Sequence, residues 1–296
     1  MIKLANLKYD GPTMLPHDEF INSCFQEEGW EVEELGLSSD GVTPVYGMKY
    51  GDVENKPVIF ITNGHHGNEW VPLYSGQAFR DIWNKPNIHP NYKVIEKMKR
   101  TFAIYSIPLV NPSGYILRQT TGVETNGRQN ANGVDLNRNY LADEPEPEVK
   151  LVKEKMLELS PIAMIDNHSY ILTEALGYGD PEEPFYRQLY WYAMDNLANV
   201  LTNYEGAKDT QMAKIVRGRV PHYADPTYES GQGRAWVNHQ INKYGKKTLS
   251  FLIEEHRRGP TERGMEFGVN AFVVLMYHIH QYWTEGKQRV AWKSEI

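Results

Sequence analysis

One cysteine, Cys24, stands in 296 residues. Without a second, no intrachain disulfide and no thiolate metal cluster can form within the chain. No stretch approaches the roughly eighteen consecutive apolar residues of a membrane-spanning helix. The opening "MIKLANLKYDGPTMLPHDEF" lacks a continuous apolar run after a basic start, so it does not read as a secretory signal. Positive charge is also scarce: 31 Lys and Arg against 38 Asp and Glu leave a net charge of −7. Nucleic acid is therefore not an expected partner. Repeats, low-complexity tracts and Gly/Ser linkers are missing too. These absences lead us to expect one soluble, cytoplasmic domain over residues 1–296, with neither a nucleic-acid nor a membrane partner.

Aromatic residues, by contrast, are plentiful, with 19 Tyr and 7 Trp. Such a composition suits a well-packed enzyme better than a disordered scaffold. Short apolar runs rich in β-branched or aromatic residues predict strands at "PVIFIT" (57–62), "TFAIYSIPLV" (101–110), "PIAMID" (161–166) and "KTLSFLIE" (247–254). Apolar spacings of three and four predict helices over 70–84, 148–159, 184–203, 232–244 and 265–285. "DEPEPE" (143–148) reads as a solvated loop ahead of a helix. Strands alternating with helices imply an α/β fold with a mixed, mostly parallel central sheet flanked by helices. Ligands of such sheets sit beyond the carboxyl ends of the strands. His66, His168 and Glu254 all fall at or just past a predicted strand end.

"NGHHGNEW" (63–70) concentrates two histidines and a glutamate after the first of these strands. His66 and Glu69, three apart, can converge on one ion, and zinc favours such nitrogen and oxygen donors. An H-x-x-E pair often occurs without metal, and His65 is a rival ligand at a spacing of four. A catalytic zinc also needs a third protein ligand and an open position. His168, at the end of "AMIDNHSY", is the best candidate for the third. His278 and His280, in an apolar C-terminal helix, read as packed or surface residues.

Five motifs now line up in order: "HGNE" (66–69), "NPSGY" (111–115), "GRQNANGVDLNRNY" (127–140), "NHSY" (167–170) and "LSFLIEE" (249–255). Together they resemble the zinc carboxypeptidases of the M14 family, over about residues 57 to 258. The resemblance implies the carboxypeptidase A-like fold and one zinc ion held by His66, Glu69 and His168. It makes Asp135 the acceptor for the far nitrogen of His66, a contact that fixes a ligand's tautomer; the plainer role is a turn-capping Asp before "LNRN". It casts Arg128 as the group that polarises the scissile carbonyl, and Arg138 with Asn137 as the clamp for a substrate's C-terminal carboxylate. Glu254 becomes the general base for a zinc-activated water. The implied substrate is a peptide or small amide with a free C-terminal carboxylate.

Some positions match less closely. Glu254 and Glu255 are adjacent, so on a strand they face opposite ways. Periodicity does not say which faces the site; the motif picks Glu254. The family's mobile tyrosine matches Tyr228 only across a one-residue gap, with Tyr223 as an alternative. Arg234, in "YESGQGRAW", falls where the family sets side-chain preference, and a cation there would favour acidic terminal residues. Ser113 stands where an acidic residue is frequent. The nearest rivals are a zinc deacylase of N-acyl amino acids, resembling aspartoacylase and succinylglutamate desuccinylase, and a cell-wall peptide amidase. A binding module that has lost catalysis would lack a ligand, the base or the arginine, and here each has a candidate.

Overall fold

The computed structural model describes residues 13–170, 174–178, 232–237, 248–256 and 261–285. Its frame is a seven-stranded sheet in the order β1-β2-β4-β3-β5-β7-β6. The strands are β1 (Glu31–Leu37), β2 (Pro44–Tyr50), β3 (Val58–Asn63), β4 (Ala103–Ile107), β5 (Ala163–Tyr170), β6 (Glu174–Tyr178) and β7 (Leu249–His256). Neighbours among β4, β3, β5 and β7 run parallel, whereas β2 and β6 pair antiparallel to theirs. The expected α/β fold with a mixed, mostly parallel sheet is what the chain adopts.

Chemistry dictates which strands lie centrally. All six residues of "VIFITN" in β3 are buried, as a strand covered on both faces requires. In β1, "EVEELGL" is mostly exposed, and its glutamates suit an edge that must not recruit further strands. Helices α2 (Val71–Asn84), α3 (Tyr92–Thr101) and α7 (Thr261–Glu285) cover one face together with α1 (His17–Phe25). Phe79 of α2 stacks on Phe272 of α7 with ring centroids 4.8 Å apart. Beneath them lie Ile59, Ile61, Ile104, Ile165 and Ile253. The other face carries α5 (Pro147–Leu159), whose Val149, Val152 and Met156 pack with Phe60, Tyr105 and Met164. The one-turn α6 (Gly233–Trp236) completes that side through Trp236, whereas α4 (Pro112–Thr121) packs its Tyr115 against Phe20 of α1 on the first face.

Four predicted strands therefore exist as β3, β4, β5 and β7, and three predicted helices as α2, α5 and α7. The helix expected over 184–203 lies outside the described residues, as does most of 232–244. The sequence reading missed β1, β2, β6, α1, α3 and α4. Among the described residues, no helix is long and apolar enough to cross a membrane.

Candidate metal centre

Two of the five motifs lie on β5 and β7; the other three lie on or border loops, which meet because glycine lets their backbones touch. A Cβ on Gly67, in "HGNE", would lie 2.1 Å from the Tyr115 amide nitrogen, so no other residue fits against α4. A Cβ on Gly114, in "NPSGY", would lie 2.5 Å from the carbonyl oxygen of Gly127, where the third motif begins. Asn111 ties the same loops together with its side chain. Its Oδ1 accepts the Gly114 amide at the start of α4, and its Nδ2 donates to the carbonyl of His65 at 3.2 Å. Nothing in the sequence reading singled out Asn111.

This packing brings His66 and Glu69, from the loop between β3 and α2, against His168 near the end of β5. His66 Nδ1 lies 2.8 Å from Glu69 Oε1, and His168 Nδ1 lies 3.0 Å from Glu69 Oε2. All three side chains are buried. On their far sides, His66 Nε2 meets Asp135 Oδ1 at 3.0 Å and His168 Nε2 meets Asp166 Oδ2 at 3.0 Å. An ionised carboxylate only accepts, so each ring faces an acceptor at both of its nitrogens and, when neutral, has one proton for two carboxylates. With that proton on Nε2, a bare Nδ1 of each ring confronts a carboxylate oxygen of Glu69. That opposition is repulsive unless a cation or added protons lie between them. One donor atom from each residue comes within 4.8 Å of the others, close enough for a single ion. The two imidazoles and the carboxylate fit zinc's donor preferences.

The charge balance says the same. Burial works against a charged His66, yet the Glu69 carboxylate and the bond to Asp135 outweigh it and raise its pKa. His168 is raised well above its ordinary value, because Asp166 and Glu69 together overcome its burial. Burial would also raise Glu69, but the charges of His66 and His168 and their bonds hold it well below the usual carboxylate range. The cluster attracts positive charge.

Asp135 holds two posts. Its Oδ1 accepts the Asn137 amide at 3.1 Å, capping the turn Leu136–Arg138, and the same carboxylate receives His66. Arg128 reaches across it, with Nη2 2.9 Å from Asp135 Oδ2 and Nη1 3.3 Å from His66 Nδ1. Nearly half of its side chain, 44%, is exposed, so the guanidinium borders the ligand cluster from the solvent side. Asn137 is buried; its Oδ1 accepts the Gly233 amide at 3.1 Å and its Nδ2 lies 3.3 Å from His168 Nε2. Arg138 is exposed, with Nη1 donating to the Asn137 carbonyl at 2.7 Å.

The parallel register aligns Glu254 with His168 and Glu255 with Ser169. Residues level on adjacent parallel strands share a face, so Glu254 stands on the side of His168 and Glu255 on the other. Glu255 is buried under α2, accepting a very short hydrogen bond from Ser75. Tyr228 and Tyr223 lie outside the described residues, and so does the side chain of Arg234. His65, the rival ligand, turns away from Glu69, its Nε2 2.6 Å from the Tyr140 hydroxyl. Asp166 went unnoticed in the sequence, although a position two before His168 on a strand places it on the same face.

The family model for zinc carboxypeptidases matches residues 28–289. The chain belongs to the zinc carboxypeptidase family. Carboxypeptidase A2 of Rattus norvegicus is 30% identical over 118 residues, which is 37% of this chain and 27% of that enzyme. The aligned part thus spans about a quarter of the curated relative. Among solved structures, a metallo-carboxypeptidase from Burkholderia cenocepacia superposes with a TM-score of 0.65 at 17% identity, covering 90% of this chain and 69% of that one. Bovine thrombin-activatable fibrinolysis inhibitor, solved with a tick carboxypeptidase inhibitor, gives 0.65 at 18% identity and covers 92% and 98%. At these identities the superpositions establish a shared fold. Family membership implies zinc, and the donor set described above fits it.

Proposed function

We propose that this zinc carboxypeptidase family member is a metallopeptidase that removes C-terminal residues, using one zinc ion held by His66 Nδ1, Glu69 and His168 Nδ1. The observation that carries this reading is the pair of imidazole nitrogens facing the two oxygens of one buried glutamate. When bound there, zinc supplies Lewis acidity and lowers the pKa of a coordinated water toward about 7. Glu254, level with His168 and only partly buried, takes the proton from the attacking water and passes it to the leaving amine. Arg128 presents an immobile positive charge where the carbonyl oxygen gains negative charge. Arg138 and Asn137 orient the substrate's terminal carboxylate, which favours exopeptidase action over internal cleavage. Tyr228 closes over the substrate, and Arg234 selects acidic terminal side chains. A reducing compartment such as the cytoplasm suits a chain whose one cysteine is buried.

The test is mass spectrometry of a mixed pool treated with zinc-loaded protein. The pool holds peptides with varied C-termini beside N-acetyl and N-succinyl amino acids and cell-wall peptides. Loss of single C-terminal residues, absent with Glu254→Ala, is the expected outcome. Cleavage of only the N-acyl amino acids would assign the chain to deacylation instead. An Arg234→Ala protein with an unaltered preference among acidic and apolar termini would remove the specificity assignment alone.

A further inference from the structure

Which nitrogen His168 offers a metal depends on which one keeps its proton, and its Nε2 has two neighbours with opposite demands. Asp166 Oδ2, at 3.0 Å, can only accept and so requires a proton on Nε2. Asn137 Nδ2, at 3.3 Å, can only donate and so requires Nε2 to be bare. The amide of Asn137 cannot be turned over at no cost, because its Oδ1 already accepts the Gly233 amide. If Asn137 prevailed, the proton would move to Nδ1, the atom that faces Glu69, and the ligand set would be blocked.

We propose that Asp166 is the positioning residue that settles this contest, holding His168 in the tautomer whose Nδ1 is free for zinc. The inference rests on the zinc reading of His66, Glu69 and His168. A buried anion competes strongly, because a charge-assisted bond outweighs a neutral one and no water screens it. Asp166 is also held in place. Thr62 Oγ1 donates to its Oδ1 at 2.8 Å across the β3–β5 pairing. His65 Nδ1 sits 2.9 Å from the same oxygen, an ion-pair distance, though too oblique for a good hydrogen bond. The His65 ring lies nearly parallel to that of His168, 5.5 Å away with 9° between planes, and is fixed at its other end by Tyr140. Asp135 does the equivalent for His66, but it is 21% exposed and divided between His66 and Arg128. The buried carboxylate therefore has the firmer hold on its imidazole.

Two measurements on the full chain test this. In the first, zinc affinity is read by competition with a chromogenic chelator, for wild type and Asp166→Asn, with bound zinc per chain counted by plasma mass spectrometry. The dissociation constant should rise about 10–100-fold, the usual cost of losing such a partner. Unchanged affinity within twofold would overturn the proposal while leaving the zinc site standing. Two ions per chain would overturn it as well, since the second would occupy His65, Asp166 and Nε2 of His168. Wild type that binds no zinc would instead dismiss the underlying zinc reading. The second measurement needs no variant: nitrogen–proton correlation spectra of zinc-loaded wild type should show His168 protonated at Nε2 and metal-bound at Nδ1. The reverse assignment would be decisive against us, whether or not Asp166→Asn folds.

Discussion

Glu254 and Glu255 differ by one position and live in different chemistry. Glu255 is buried, one of its oxygens has no partner, and burial pushes its pKa up to about 8 despite hydrogen bonds from Ser75 and Asn167; the neighbouring Glu254 charge adds to the rise. A carboxyl raised in the folded state binds its proton more tightly there than when unfolded. Folding stability therefore declines as pH climbs from the ordinary value near 4.5 through about 8, then levels off. Glu255→Gln should flatten that decline and melt higher than wild type at pH 8, as thermal unfolding across pH will reveal. Glu254→Gln should behave differently: turnover falls about 10²–10⁴-fold, the range for a positioned acid–base group, while zinc affinity holds. Peptide hydrolysis and chelator competition on one preparation separate the two effects. Strand periodicity put these glutamates on opposite faces without saying which was the site's. That answer lay in the pairing of β7 with β5, a long-range register that no local pattern encodes. Asp166 was hidden for a related reason, since a lone buried Asp two before a histidine looks like a strand end.

At the scale of elements, the motifs were legible as motifs, and their glycines explain why. Gly67 and Gly114 have no room for a side chain because three loops stack backbone on backbone beside the ligands. Gly114→Ala should cost about 1–3 kcal/mol through overpacking. It should also loosen zinc, since the added methyl presses on the Arg128 loop and on the Asn111 amide that holds the His65 carbonyl; calorimetry and chelator competition check the two halves. Central strands were legible where both faces are apolar, as in "VIFIT" and "AIYSI". Their ends were less so. The apolar run 101–110 outlasts β4 because Leu109 and Val110 are buried in the turn that leads to α4, without being strand. β5 instead runs on past its apolar part, through Asn167, His168 and Ser169, which are buried for the sake of the site. β1 and β2 escaped notice because one is largely exposed and the other mixes buried with half-buried positions.

For the whole molecule, a zinc ion that binds only the folded chain must stabilise it by mass action. Free zinc at a thousand times its dissociation constant contributes about 4 kcal/mol. At roughly 2–3 °C per kcal/mol for a chain of this size, saturation should raise the melting temperature by on the order of 10 °C, and a chelator should reverse it. Equal melting with and without metal would dismiss the centre proposed above. The ligands also lie far apart along the chain: Glu69 and His168 are 99 positions apart and meet through the parallel pairing of β3 with β5. Closing so long a loop is entropically costly, and parallel pairings of this kind form slowly. The ion thus has no complete cage to enter until β3 and β5 have found their register. Zinc uptake is then a clock on folding: in stopped-flow refolding, metal capture should trail the growth of helix signal, and the rate of capture should stay the same however much zinc is supplied.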